Sequence, residues 1–177
     1  FYLSDMKAQV LLVQAGLDSP AIGVARSLGI LVIELVPTHD AQAGLFTLAC
    51  DSPLSAKQTD FAQSADVGLV LHTSGTTARP KLVPLTQTNL LAAGRNIRNA
   101  VQLTERDRCL NIMPLFHIHG LSTLTATLWA GGSVVCTTGF YAPQFYTWMD
   151  ECHPTWYTAA PAMHQAILAR AEAHHDI

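Results

Sequence analysis

The chain is poor in charge and has no long uninterrupted apolar run. Charged residues make up 13% of its 177 residues, and 10 Lys and Arg stand against 13 Asp and Glu. The basic excess that is typical of nucleic-acid-binding proteins is therefore missing. No stretch of 18 uncharged apolar residues occurs, so the sequence predicts no membrane span. Apolar residues make up 49% of the chain, which excludes intrinsic disorder and supplies a buried core.

Several motifs that would define a function are also missing. The sequence contains no GxSxG, GxGxxG or GxxxxGK[ST], which argues against a serine hydrolase, a dinucleotide-binding fold and a Walker-type phosphate loop. His117 and His119 could form at most half of a metal site, so we expect no metal there. No two cysteines form a CxxC pair, and we expect all four to be reduced core thiols in a reducing compartment. The cysteines are Cys50, Cys109, Cys136 and Cys152.

The charge that is present is distributed unevenly along the chain. Residues 66–98 carry a net charge of +3, whereas residues 1–65 and residues 99–177 each carry −3. A local positive patch in an acidic protein favours an anionic ligand. The alternative is that four solvated basic side chains lie close together by chance.

Short apolar runs alternate with amphipathic segments along most of the chain. Continuous apolar runs are typical of buried strands, and they predict strands at residues 10–13, 30–36, 67–72, 109–113, 133–137 and 155–158. Apolar periodicity and caps predict helices at residues 20–28, 88–103, 120–129, 142–152 and 161–174. Residues 38–65 are predicted to be mostly loop. Strands that alternate with helices indicate an α/β fold with a largely parallel sheet flanked by helices.

A hydroxyl-rich loop follows the third predicted strand, inside the positive segment. Residues 72–81 (HTSGTTARPK) combine four hydroxyl side chains with Gly75 and Lys81. Hydroxyl and backbone N–H groups can donate to phosphate oxygens, the lysine adds a positive charge, and a glycine lets the backbone approach a ligand. In α/β proteins, ligands bind at the carboxyl ends of parallel strands. Composition alone leaves two alternatives open, a phosphate site and an ordinary polar turn.

Three stretches of the chain resemble the adenylate-forming superfamily, which contains the acyl-CoA synthetases and other AMP-binding enzymes. Residues 73–81 (TSGTTARPK) are similar to its phosphate loop, usually written TSGTTGxPKG. Residues 113–121 (MPLFHIHGL) are similar to a second family motif at the expected distance. Residues 155–165 (TWYTAAPAMHQ) resemble the strand and helix that border the acyl pocket. Together the three stretches extend the resemblance over nearly the whole chain.

Two departures from the general motif resemble one subgroup of that superfamily. Ala78 stands where the usual motif has its second glycine, and Leu82 follows the lysine where a glycine is usual. The oxalate–CoA ligase-like subgroup also lacks the second glycine and continues with a bulkier residue and VPLT, as residues 79–86 (RPKLVPLT) do here. The chain is therefore most similar to the oxalate–CoA ligase-like subgroup.

The resemblance implies a two-step reaction that uses ATP, Mg²⁺ and coenzyme A. A carboxylate attacks the α-phosphate of ATP to give an acyl-adenylate and pyrophosphate, and a thiol then displaces AMP. His117 would be the catalytic residue that orients the carboxylate, and Tyr157 and Pro161 would border the acyl channel with it. The nucleotide phosphates would be held by the loop residues Thr73, Ser74, Gly75, Thr76, Thr77 and Lys81.

The resemblance also implies that residues 1–177 are a single fragment of an N-terminal AMP-binding domain, because complete relatives have roughly 500 residues or more. The C-terminal domain is then absent, and we expect the isolated chain to be inactive and to self-associate through exposed apolar faces. Two other hypotheses are a free-standing, non-catalytic α/β module that binds a nucleotide or anion, and a structural fragment that binds neither. The expected partners are a small carboxylate, ATP and coenzyme A, with no nucleic acid. The expected compartment is the cytoplasm, or the peroxisome in a eukaryote.

Overall fold

The computed structural model describes residues 1–38, 40–42, 44–51, 60–73 and 80–171. The chain divides into two compact units, residues 1–61 and residues 62–177. In the described ranges, no helix has both the length and the apolar character that crossing a membrane requires.

The first unit contains a three-stranded mixed sheet with strand order β1-β2-β3. Its elements in chain order are α1 (Tyr2–Asp5), β1 (Val10–Gln14), α2 (Pro20–Ser27), β2 (Leu31–Pro37) and β3 (Phe46–Ala49). Strands β1 and β2 are parallel, and β3 is antiparallel to β2. In the described part of this unit, the buried apolar residues are Val13, Ala25 and Ile33.

Helix α2 begins where local sequence chemistry predicts. The Ser19 hydroxyl accepts a hydrogen bond from the Ala21 N–H at 3.3 Å, which caps the first turn. Pro20 occupies the first helical position, where an N–H would have no helical partner. Gly29 follows the helix with φ at +69°, a conformation that glycine adopts without strain.

The second unit contains a β-hairpin, a parallel sheet and four α-helices in its described part. Its elements are β4 (Val67–Thr73), β5 (Lys81–Thr86), α3 (Gln87–Ala100), β6 (Arg108–Asn111), α4 (Ile118–Trp129), β7 (Ser133–Cys136), a 3-10 turn (Ala142–Gln144), α5 (Phe145–Cys152), β8 (Trp156–Tyr157) and α6 (Pro161–Ala171). Strands β4 and β5 pair antiparallel. The parallel sheet has strand order β7-β6-β8.

An apolar core lies around β6 and is built mainly from α5, α6 and the end of β6. Its buried residues are Leu110, Ile112, Phe145, Tyr146, Ala159 and Ile167. The ring of Phe145 packs edge-on against two tyrosines, with centroid distances of 5.4 Å to Tyr146 and 4.9 Å to Tyr157. The buried Tyr146 hydroxyl donates to the Ile167 carbonyl oxygen at 3.1 Å, so that its polar atom is satisfied.

The predicted fold class is confirmed, with one sheet fully parallel and flanked by helices. Strands β3 and β5 were not predicted. Strand β5 contains Pro84, which usually argues against a strand, but among the described strands β5 pairs with β4 alone, and a proline is tolerated on an open edge. The expectation of four core thiols is wrong for Cys136, which is exposed, whereas Cys109 is buried. The predicted continuation of the last helix to residue 174 lies outside the described residues.

Candidate functional site

The β4–β5 hairpin brings together the two ends of the hydroxyl-rich segment. Thr73 and Lys81 are directly opposite each other in the antiparallel register. The Thr73 hydroxyl lies 3.5 Å from the Lys81 carbonyl oxygen, to which it donates. Both residues are exposed, and the hairpin therefore presents a hydroxyl and an ammonium group at the base of the loop. The other four predicted phosphate-binding residues, Ser74, Gly75, Thr76 and Thr77, lie outside the described residues.

The side chains of Thr73 and Lys81 lie on one face of the hairpin, because directly opposite residues of antiparallel strands project to the same side. Leu71 and Val83, the next pair on that face, are half-buried and fix the hairpin by packing. Among the described residues, no carboxylate forms an ion pair with Lys81. No carboxylate in the described ranges neutralises the Lys81 charge, so this charge is available to an anionic ligand.

His117 lies immediately before α4 and caps that helix. Its Nδ1 atom accepts a hydrogen bond from the His119 backbone N–H at 3.1 Å. The backbone N–H of His117 donates to the Pro114 carbonyl oxygen at 3.1 Å, which closes the turn before the helix. The His117 side chain is exposed, so its second ring nitrogen, Nε2, can meet a ligand.

A histidine–threonine contact ties the first turn of α4 to the parallel sheet. The His119 Nε2 atom lies 2.8 Å from the Thr158 hydroxyl, and Thr158 directly follows β8. Gly120 lets the first turn of α4 lie close to the backbone of residues 113–114. A Cβ atom at position 120 would lie 2.5 Å from the Pro114 carbonyl oxygen and 2.9 Å from that of Met113. Only glycine fits at this position without backbone movement.

A cleft of about 230 Å³ opens at the carboxyl ends of β6 and β7. It is lined by residues 113–116, residues 136–139 and Asn111, none of which is charged. Asn111 is 5% exposed, and its Oδ1 atom accepts from the Met113 N–H at 3.3 Å. The Thr137 hydroxyl donates to the Asn111 carbonyl oxygen at 3.1 Å. Sequence reasoning did not select Asn111, Thr137 or Thr158, although a polar residue at the end of a predicted parallel strand is a usable signal.

The two remaining predicted site residues lie near α6. Tyr157 is half-buried in β8, its hydroxyl is 3.3 Å from His164 Nδ1, and burial raises the pKa of its phenol. Pro161 is exposed at the first position of α6. The structure therefore places Tyr157 next to Thr158 and close to the aromatic core, with His164 as a structural partner.

Comparison with known proteins gives a consistent result over the whole chain. Residues 1–176 match the family described as AMP-binding enzyme. An oxalate–CoA ligase of Arabidopsis thaliana is 38% identical over 178 residues, which cover 98% of this chain and 35% of that protein. An oxalate–CoA ligase of Saccharomyces cerevisiae is 31% identical, with coverage of 95% and 35%. The chain thus spans about a third of the length of these curated relatives. The predicted resemblance to the oxalate–CoA ligase-like subgroup is confirmed.

Two solved structures share the fold. Apo MatB from Rhodopseudomonas palustris superimposes with a TM-score of 0.70 at 22% identity, covering 95% of this chain and 32% of that one. O-succinylbenzoate coenzyme A synthetase from Bacillus subtilis, in complex with ATP and magnesium ion, gives a TM-score of 0.71 at 24% identity, with coverage of 95% and 32%. At these identities the likeness establishes the α/β fold alone.

Proposed function

This chain belongs to the AMP-binding enzyme family, and we propose that it is the part of an ATP-dependent acid–CoA ligase that holds the nucleotide phosphates and one side of the acyl site. The complete enzyme would join a carboxylate to AMP with release of pyrophosphate, and would then transfer the acyl group to the thiol of coenzyme A. The observation that carries the proposal is the register of the β4–β5 hairpin, which sets Lys81 opposite Thr73 at the base of the hydroxyl-rich loop.

The hairpin suits phosphate binding because adenylyl transfer depends mainly on positioning and on neutralising charge. Lys81 supplies a positive charge on the same face as Thr73, whose hydroxyl donates to the Lys81 carbonyl oxygen and would turn that hydrogen toward a phosphate oxygen on binding. The ladder of β4 and β5 fixes the backbones of these two residues beside each other, so both side chains start from the same edge of the hairpin. The four loop residues from Ser74 to Thr77 would complete the cradle.

The carboxylate would bind near the start of α4. A carboxylate is already ionised at neutral pH and needs no base to attack phosphorus. What the protein must supply is orientation, and the exposed imidazole of His117 can donate a hydrogen bond to one carboxylate oxygen. Tyr157 and Pro161 would border the acyl channel on the side of α6.

Within the described ranges, no three ligating side chains come together as a metal site. Mg²⁺ is usually held through substrate phosphates and one or two carboxylates, with water completing its coordination. We therefore propose that Mg²⁺ enters with ATP and not on a site built by these residues. Bound Mg²⁺ would neutralise phosphate charge.

Oxalate is the proposed acid, and the two oxalate–CoA ligases among the relatives support it. The test is a substrate screen on the complete protein with oxalate, malonate and medium-chain acids. Oxalate should give the highest kcat/KM. A clear preference for a medium-chain acid would contradict this choice of substrate and leave the reaction class intact.

Removing the charge of Lys81 tests the phosphate site directly. We expect Lys81→Gln to weaken binding of ATP and pyrophosphate about tenfold, or about 1.4 kcal/mol, because the variant keeps a polar side chain of most of the length and loses its charge. Binding to the wild-type chain should also weaken as salt increases. Titration calorimetry on the 177-residue chain measures both effects.

Lys7→Gln is the matched control, because Lys7 is an exposed lysine in the other compact unit. It should bind ATP like the wild type. Equal affinity of Lys81→Gln and wild type would contradict the proposed site. We also expect no ATP–pyrophosphate exchange by the isolated chain, and robust exchange would refute its assignment as an incomplete, inactive piece of a catalytic domain. A reading frame that ends at residue 177 would favour a free-standing nucleotide-binding module.

A further inference from the structure

We infer that His119 and Thr158 are positioning residues for His117, and that they hold its imidazole with Nδ1 as the acceptor of the helix cap and Nε2–H as the ring donor left for a ligand. The inference rests on the proposed contact of His117 with the carboxylate. It goes further, because it assigns the proton to one nitrogen and names the residues that keep the ring in place.

The helix cap determines which nitrogen of His117 carries the proton. His117 Nδ1 accepts from the His119 backbone N–H at 3.1 Å, and an accepting nitrogen must present its lone pair. In the neutral ring the proton is therefore on Nε2. A proton added at Nδ1 would break the cap and leave the His119 N–H without this partner. The capped ring thus offers a ligand one donor and no base.

The cap depends on where the first turn of α4 lies, and the side chain of His119 controls that position. Its Nε2 atom and the Thr158 hydroxyl are 2.8 Å apart, although the two residues are separated by 39 positions in the chain. Thr158 follows β8, which pairs with β6, and β6 leads into the turn that carries His117. The contact therefore joins the first turn of α4 directly to the sheet from which that turn extends. The same turn is also held by the His117 N–H bond to the Pro114 carbonyl oxygen and by the packing of Gly120 against residues 113–114, and the His119–Thr158 contact adds the link to β8.

An Nε2–H donor held in one position suits the first reaction step, in which the carboxylate attacks the α-phosphate. One carboxylate oxygen forms the new bond to phosphorus, and the other keeps its charge until the acyl-adenylate is complete. An Nε2–H aimed at the second oxygen would orient the group without taking a proton from it. No proton is transferred in this step, so the reaction does not require His117 to act as a base.

Nuclear magnetic resonance on the 177-residue chain tests the inference without relying on enzyme activity. At pH 8, where an ordinary histidine ring is neutral, long-range proton–nitrogen spectra report which ring nitrogen carries hydrogen. The hydrogen-exchange rate of the His119 amide reports whether its bond to His117 Nδ1 is formed. The variants are Thr158→Val, which removes the hydroxyl at nearly constant shape, and Thr158→Ser, which keeps it. The His117 signals are assigned from their loss in His117→Asn.

In the wild type we expect a single His117 tautomer protonated at Nε2, and the same in Thr158→Ser. In Thr158→Val we expect a mixture of tautomers and a fall in His119 amide protection on the order of fivefold, equivalent to about 1 kcal/mol for a lost cap. Amides of α6 should keep their protection, which shows that the variant is folded.

A wild-type ring protonated at Nδ1 would overturn the tautomer assignment, whatever the variants do. Wild-type spectra and protection in Thr158→Val would overturn the positioning role. Failure of the chain to bind ATP would bear on the proposed function and not on this inference, because neither readout requires a ligand.

Discussion

At the scale of single residues, His117 combines two roles that use different atoms. Nδ1 caps α4, and Nε2 faces outward from an exposed side chain. Asparagine is among the best capping residues, since its side-chain oxygen can accept from the helix, but it has no group equivalent to Nε2–H. The structural and chemical roles can therefore be separated by one substitution.

We expect His117→Ala to lower the free energy of unfolding of the chain by about 1 kcal/mol, as the loss of a helix cap does. His117→Asn should stay within a few tenths of the wild type, because it keeps a capping acceptor. Urea denaturation measures both variants. Equal destabilisation by both would show that the cap contributes nothing to stability.

Asp107 is the residue whose titration should couple to stability. Its carboxylate accepts from the Thr104 N–H at 2.7 Å, from the Thr155 hydroxyl at 2.8 Å and from the Thr104 hydroxyl at 3.0 Å. These bonds lower its pKa from the ordinary value of 3.8, and the Thr104 backbone bond is the largest cause. The bonds join the turn before β6 to the residue before β8.

A lowered pKa means that the folded state binds this proton less readily than the unfolded state. The stabilisation is then complete above about pH 4, near the ordinary carboxyl pKa, and is lost as the pH falls through the lower folded value. We expect Asp107→Asn to flatten this acid dependence of the urea midpoint. Asp150→Asn, which removes the charge of an exposed carboxylate on α5, is the matched control. Identical acid profiles for Asp107→Asn and wild type would contradict the assignment.

At the scale of elements, two helical glycines have opposite environments. Gly120 in α4 faces the carbonyl oxygens of Met113 and Pro114, which are backbone atoms and cannot rotate away. Gly23 in α2 has open space where a Cβ atom would go. Alanine is favoured over glycine in a helix by about 1 kcal/mol, so the same substitution should have opposite signs at the two positions.

We expect Gly120→Ala to destabilise the second unit by about 2 kcal/mol, because the clash outweighs the gain in helix propensity. Gly23→Ala should stabilise the first unit by about 0.5 to 1 kcal/mol. Urea denaturation with hydrogen exchange in α2 and α4 assigns each effect to its helix. A stabilising Gly120→Ala would show that α4 does not approach residues 113–114 this closely.

At the scale of the whole molecule, the chain exposes apolar side chains on its first sheet. Phe46 and Leu48 of β3 are each 50% exposed, and they alternate with Thr47. Strand β3 lies at one end of the strand order, and it carries no charge that would discourage pairing with another chain. We propose that isolated chains self-associate through this strand.

Sedimentation velocity should show an average mass that rises with concentration. Leu48→Lys should reduce this association, because it places a charge within the apolar row. Thr47→Lys adds the same charge to the same strand, on the other face, and should have the smaller effect. A wild-type chain that stays monomeric at every concentration would exclude the proposal, and equal effects of the two variants would exclude the apolar row as its cause.

Local sequence chemistry was sufficient for the elements whose signals lie within a few residues. The apolar runs of β1, β2, β4, β6 and β7 and the cap of α2 at Ser19 and Pro20 were predicted, because continuous apolar runs and helix capping leave short-range marks. Burial did not follow the runs throughout: β6 is mostly buried, whereas β1 exposes Val10 and Leu12. The family resemblance followed from the motif residues themselves. Thr73, Lys81, His117, Tyr157 and Pro161 were selected in the same way, and their roles remain predictions.

Tertiary structure alone decided which of these residues meet. Strand β5 exists because β4 pairs with it, so the facing of Thr73 and Lys81 could not be derived from either strand by itself. His119 and Thr158 are 39 residues apart, and they come within 2.8 Å because parallel strands deliver their carboxyl ends to one edge of the sheet. Composition and spacing describe each segment, but contacts between distant segments depend on how the strands pair and the helices pack.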